Sequence, residues 1–452
     1  MDTINQNQLF ASTKPSKLFF KAAIPGAIGM AASNIYYVSE ALMVGRFLGE
    51  LPFAAMNLAT PLVLINYAIA DLIGVGSSVH LAIKMGEGKD EEANKMFTTA
   101  FILIFLCTAV FSFFLILLAP WFFKVMGADA TVGKLATDYL RVYAFLTPIC
   151  GYAFAFDNYL RICGKIRQSM FLNLFMAGIS ALIEFTLLYF WRLPLPFAAF
   201  GTSLGMIIAV AIVIVPFARG KMALKFTKPD IKFSHVRDMV SAGTPAFLSN
   251  MAGRIFSLLM NFLLLSIGGN DAISIYGIVM NTEGVVLPFL YGMCDSLQPA
   301  VGYNLGSGRI KRVKSLERYC FSGSAIVSIF FGVMMLIFNR GVVTIFMGSG
   351  MSDAFMATAS VAVMLFALNY LIRWISYATQ SFISAIGHSR RASILSLSSA
   401  VVFPLISIPL LWKLGVNGLY LNTALTALFS AVLSVFFLVR VIRELNNKEG
   451  IA

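Results

Sequence analysis

Ile24-Pro-Gly-Ala-Ile-Gly-Met-Ala-Ala-Ser-Asn-Ile-Tyr-Tyr-Val-Ser-Glu40-Ala-Leu-Met-Val-Gly-Arg-Phe-Leu-Gly49 is long enough to cross a bilayer. It carries a proline near its start and one carboxylate among apolar neighbours. A charge at that depth costs a few kcal/mol or more on insertion, so Glu40 needs a function or a partner. Comparable apolar runs recur along the 452 residues, which are 59% hydrophobic and 12% charged. A soluble domain carries roughly 25% charged residues. The chain therefore reads as an all-α polytopic membrane protein. Turn residues divide it into twelve spans near 17–46, 52–80, 97–119, 136–160, 168–191, 197–219, 238–267, 272–303, 316–338, 355–384, 392–412 and 418–440.

The longest connector (GKMALKFTKPDIKFSH, from Gly220) is Lys-rich and separates two sets of six spans. The expected domains are 1–220, a linker at 221–237 placed in the cytoplasm, and 238–452. With the N-terminus inside, 25 of the 34 lysines and arginines fall on the inner side, seven on the outer side and two within spans. This bias places both termini in the cytoplasm. It also explains the net charge of +13 without a nucleic-acid partner. No cleavable signal is evident in MDTINQNQLFASTKPSKLFF. The five cysteines lack C-x-x-C spacing and read as packing residues.

An internal repeat appears at an offset of 220 residues: Pro25 with Pro245, Ala32 with Ala252, Gly49 with Gly269, Gly86 with Gly306, and Gly88 with Gly308. Six spans per half make the repeats parallel, with a central cavity as the expected binding place.

Glu184, in the fifth span, lies seven residues before Trp191, as Glu40 lies seven before Phe47. Both acids therefore sit about 10 Å short of the outer end of their helices. Two carboxylates at one depth lose water and repel each other, and such a site takes up a proton near neutral pH or shares a small cation. Ser33, Tyr36 and Tyr37 share the face of Glu40, Ser180 is four residues before Glu184, and Thr202 opens the next span. These four-residue and seven-residue neighbours, with Asn57 of the second span, are the expected polar support. Hydrogen bonding of the acids to neighbouring hydroxyls, with no further role, is the simpler alternative.

The second half differs, because Met260 occupies the position of Glu40. There Arg254 and Glu283 match in depth to within about 5 Å, and a buried ion pair is expected, with Arg373 and Asp295 extending the network, or else Arg254 and Arg373 contacting an anionic substrate group. Asp157 and Arg161 are placed to pair at i+4 near the inner end of span four. Pro25, on the helix of Glu40, is a candidate hinge. Other chemistry leaves little trace: no G-x-x-x-x-G-K-[ST] loop, no H-E-x-x-H, and His80, His235 and His388 all at inner ends of spans or in inner loops. No enzyme activity, catalytic residue, metal site or cofactor is expected beyond a coupling ion, H+ or alternatively Na+.

Four stretches resemble the multidrug and toxic compound extrusion (MATE) transporters: Ile35–Gly49; Ala55-Met-Asn-Leu-Ala-Thr-Pro61 with Gly74-Val-Gly-Ser-Ser78; Gln298-Pro-Ala-Val-Gly-Tyr-Asn-Leu-Gly306; and Gly387. The resemblance implies a V-shaped pair of six-helix lobes in the bacterial cytoplasmic membrane. It also implies export of organic compounds, lipophilic and often cationic, against inward proton or sodium flow. Small-molecule substrates and membrane lipids are the implied partners of a monomer. A flippase for a lipid-linked or anionic amphiphile is the alternative. Family members usually carry Asp where Glu40 stands, and an Asn and an Asp where Ser180 and Glu184 stand. Acids of the seventh and tenth spans that serve sodium-coupled members have no counterpart, since Arg254 and Arg373 are the charges there. This places coupling in the first half.

Overall fold

The computed structural model describes residues 6–347 and 351–451; the side chains of residues 6–8, 34–37 and 448–451 lie outside the described residues. The described residues are helices and short connections, without strands. Among the described residues, ten helices are long and apolar enough to span a membrane. One of them, Phe233–Gly306, bends back at Gly269 and makes two spans. The remaining span is built from Ala130–Cys150 and Tyr152–Ile162, interrupted at Gly151. This restores the expected twelve. Along Asp90–Val125 the exposed side chains include Phe105, Leu106, Phe113, Phe114, Leu117 and Trp121, as a lipid-facing helix requires.

Glycines mark the repeat. Gly49, between the first two spans, has φ 89° and ψ −170°; Gly269 has φ 65° and ψ −157°. That corner of backbone space is open essentially to glycine alone. Gly88 and Gly308 form a second positive-φ pair, and Gly164 and Gly387 a third at an offset of 223. The offset therefore grows by three somewhere between Gly88 and Gly164.

The chain divides into two compact units, Ile28–Phe247 with the helix Gln6–Ser12, and Leu248–Ala452 with Thr13–Ala27. The division differs from that read at the Lys-rich connector. The connector is docked on the first unit, where the backbone N–H groups of Lys225, Thr227 and Asp230 donate to Asn94 Oδ1, Thr98 Oγ1 and Thr99 Oγ1 at 2.8, 3.0 and 3.0 Å. Residues 233–247 follow it there, because Gly76 and Gly243 let the backbone at Met239 and Leu72 approach closely. The first span is likewise shared: Gly26 lies against Gly292 and Ser296 in the second unit, whereas everything from Ile28 belongs to the first.

Candidate functional site

Glu40 is 4% exposed, on the first span (Pro15–Leu48). A buried carboxylate is tolerable only when donors replace the lost water. Two hydroxyls of the fourth span do so: Tyr139 donates to Glu40 Oε1 at 2.7 Å, and Tyr143 lies 2.9 and 2.8 Å from Oε1 and Oε2. Tyr139 and Tyr143 are one helical turn apart, so a single face of span four presents both. The rings meet edge to face at 5.1 Å, and Tyr67 of the second span meets Tyr143 at 6.1 Å. These tyrosines were not among the expected site residues. The signal that could have found them is the i, i+4 spacing of two phenols in an otherwise apolar span.

Glu184, 1% exposed, is in electrostatic reach of Glu40, Tyr139 and Tyr143. Its helix (Ile166–Phe185) continues as one π-helical turn, Thr186–Phe190, a departure frequent at functional sites. Span six (Pro196–Ala218) packs directly on this helix through Gly201 and Gly205, where a Cβ would press on the backbone of Glu184 and Ser180. The close approach brings Thr202 Oγ1 to Glu184 Oε2 at 3.4 Å. The Ser180 hydroxyl donates to the Thr202 carbonyl at 3.0 Å instead of to the acid. Glu184 Oε1 is buried and has no hydrogen-bond partner among the described residues. Of the two acids, one is thus surrounded by donors and the other keeps an oxygen open.

The remaining expected supports lie elsewhere. The single hydroxyl hydrogen of Ser33 is shared between Gly29 O at 3.1 Å and Asn173 Oδ1 at 3.0 Å, away from the acids. Asn57 is exposed. The side chains of Tyr36 and Tyr37 lie outside the described residues. Pro25 is buried within the first span, two residues before its division between the units. The Asp157–Arg161 pair forms and gathers Ser169 and Asn173 around the carboxylate.

In the second unit the arginine on Glu283 is Arg373, at 2.8 Å, and not the depth-matched Arg254, which is exposed. Depth alone does not set direction around a helix, and Arg373 approaches from span ten. Its Nη2 also reaches the Tyr291 hydroxyl at 3.3 Å. Tyr291 stacks on Tyr377 at 3.8 Å, and Tyr377 donates to Asp295 Oδ2 at 3.0 Å. Gln298 and Ser381 donate to its other oxygen. Met260 is buried in an apolar cluster with Ala362 and Phe366. Among the described residues, no three or more His, Cys, Asp or Glu side chains are grouped to hold a metal ion.

A family model described as MatE matches residues 25–186 and 245–410, one block in each repeat. The "Multidrug export protein MepA" of Staphylococcus haemolyticus (strain JCSC1435) is 22% identical over 453 residues, covering 98% of this chain and 97% of its own. Crystal structures described as MATE in the straight and in the bent conformation each align with a TM-score of 0.91. Both are 18% identical, covering 99% of this chain and 100% of theirs.

Proposed function

Because the chain belongs to the MatE family, we propose that it is a proton-driven antiporter that exports lipophilic, often cationic organic compounds across the bacterial cytoplasmic membrane, with both termini inside. The observation that carries this reading is the buried acid pair, in which Tyr139 and Tyr143 donate to Glu40 while Glu184 Oε1 has no donor. A proton needs only that open oxygen. A sodium ion needs several oxygen ligands directed at it, whereas of the carboxylate oxygens of this pair only Glu184 Oε1 is without a donor among the described residues. The Lys/Arg bias opens the acid end of spans one and five toward the outside, the side from which the proton gradient drives entry. Pro25 lies where the first span passes from one unit to the other, which suits a bend coupled to the charge of the acid pair. The name of the MepA relative supports organic compounds as cargo. A lipid diphosphate would call for uncommitted cations, and Arg373 is committed to Glu283.

The test is efflux of a lipophilic cation from proteoliposomes under separately imposed proton and sodium gradients. The proton gradient drives efflux, and Glu40→Gln and Glu184→Gln each abolish it in protein that remains folded. Full transport by either variant, or efflux driven by sodium alone, overturns the assignment.

A further inference from the structure

The first span carries Pro25, Gly29, Ser33 and Glu40 at spacings of four, four and seven residues, which line up on one helical face. Between the proline and the acid this stripe is fastened to the fifth span. Gly29 supplies the close approach: a Cβ there would come within 3.3 Å of Asn173 Nδ2 and 3.4 Å of Met170 Cα. Ser33 supplies the bond: its hydroxyl lies 3.0 Å from Asn173 Oδ1 and shares its one hydrogen between that oxygen and Gly29 O at 3.1 Å. The same amide turns its Nδ2 to Asp157 Oδ1 at 2.7 Å and to the Ser169 carbonyl at 3.2 Å. Asp157 accepts in addition from Arg161 and from Ser169, and Arg161 Nε donates to Ser169 Oγ at 3.1 Å. Arg161, Ser169 and Asn173 are 3%, 2% and 6% exposed, so these bonds are sheltered from water.

From this geometry we infer that Asn173 is a positioning residue: its amide latches the glutamate-bearing helix to the Asp157–Arg161 pair, and the latch opens when the first span bends at Pro25 on proton uptake. Only a side chain that accepts on one edge and donates on the other joins a serine hydroxyl to a carboxylate this way. Aspartate at 173 would set two carboxylates against each other, and leucine would leave both partners unpaired. Ser33 is the first anchored residue beyond Pro25 and stands about 10 Å before Glu40 along the helix. A bend at the proline therefore strains this bond before it moves the acid.

The inference rests on proton coupling at Glu40 and Glu184. Among the described residues, the titratable groups facing Glu40 are Tyr139 and Tyr143 from span four and Glu184 from span five, with Tyr67 of span two against Tyr143; the charged groups facing the latch are Asp157 and Arg161 from span four. If the latched helix opposes proton uptake, weakening the latch favours the protonated form.

The pH profile of proton-driven efflux should be measured for wild type, Ser33→Ala, Ser33→Thr, Asn173→Ala and the Ser33→Ala/Asn173→Ala double variant, with melting temperature as a control for folding. The expected result is a midpoint moved to higher pH by about 0.5 in Ser33→Ala. Threonine at 33, which keeps the hydroxyl, should restore the wild-type profile, and the double variant should match Asn173→Ala alone. A Ser33→Ala midpoint equal to wild type, in folded and proton-driven protein, overturns the latch and leaves the acid site standing. Additive effects of the two alanines likewise remove Asn173 as the intermediary. Failure of wild type to respond to the proton gradient overturns the functional reading and the latch together.

Discussion

The two repeats fill one place in opposite ways. Where the first has Glu40, Tyr139 and Tyr143, the second has Met260, Ala362 and Phe366, by the offsets of 220 and 223 that the paired glycines mark. The second set is buried in the apolar cluster of its unit, at 1%, 0% and 1% exposure. Glu184 corresponds at the same offset to Ser407. One scaffold is therefore built with and without a carboxylate at this depth, and the version without it packs as an ordinary hydrophobic core. The acids are not required by the architecture, so the cost of burying them must be met by what they do. Within the second unit Glu283 is held in a different form, as a neutral pair with Arg373.

The largest effect should follow from making the first unit like the second. Glu40→Met with Tyr139→Phe, Tyr143→Phe and Glu184→Leu should reduce proton-driven efflux to background while stability changes by no more than about 2 kcal/mol, since replacing buried polar groups by apolar ones of similar volume is often neutral or better. Loss of the fold, seen in the thermal melt, would make the acid pocket structural and break the comparison. The reverse change, Met260→Glu, introduces a carboxylate without tyrosine donors at 362 and 366. It should destabilise the protein by about 3–5 kcal/mol, read as a lowered melting temperature, with any folded fraction showing no second proton-driven step.

How far this asymmetry was legible in the sequence depends on the kind of signal. The spans, the repeat and the position of Met260 opposite Glu40 follow from hydropathy and a fixed offset, which register along the chain alone determines. The acid pair was legible because two carboxylates in apolar helices stand out at equal depth. Their partners were not, because a tyrosine in a membrane span is ambiguous until the rotation of its helix is known. Rotation also separates Arg254 from Arg373: depth counted from the Gly269 turn favoured the first, and the packing of span ten brings the second to Glu283. Ser33 was misread for the same reason in milder form. It shares the face of Glu40, but seven residues along that face carry it to a different neighbour, Asn173.

Arg373 and Glu283 sharpen the contrast between a paired and an unpaired acid. Glu283→Ala strands a half-buried guanidinium and Arg373→Ala strands a carboxylate. Each should lower stability by about 2–4 kcal/mol, with much of the loss regained in Glu283→Leu/Arg373→Met. Chemical denaturation of the three variants measures this. Efflux per folded molecule should change far less than in Glu40→Gln, because the second unit holds no open acid at the position of Glu40. A loss as complete as that of Glu40→Gln would instead place Glu283 in the coupling step.

The smallest effect concerns how each unit borrows chain from outside its repeat. In the first unit the third span offers Asn94, Thr98 and Thr99, which hold the connector by three backbone N–H groups. The equivalents at an offset of 220 are Lys314, Arg318 and Tyr319 in the ninth span, and the second unit docks a different segment there. Tyr319 stacks on Phe19 at 6.3 Å, and Arg312 donates to the Thr13 carbonyl. Hydrogen bonds at one site and a ring stack at the other do the same task of fixing the chain ahead of a repeat. Thr98→Val removes one acceptor while keeping shape, at a cost of about 1 kcal/mol. Because opening is local, global melting should barely change, whereas trypsin should cut more quickly at Lys225, which lies on the freed stretch. Tyr319→Leu should leave that site as resistant as in wild type. Equal cleavage in both variants would mean that the connector is held by something other than the third span.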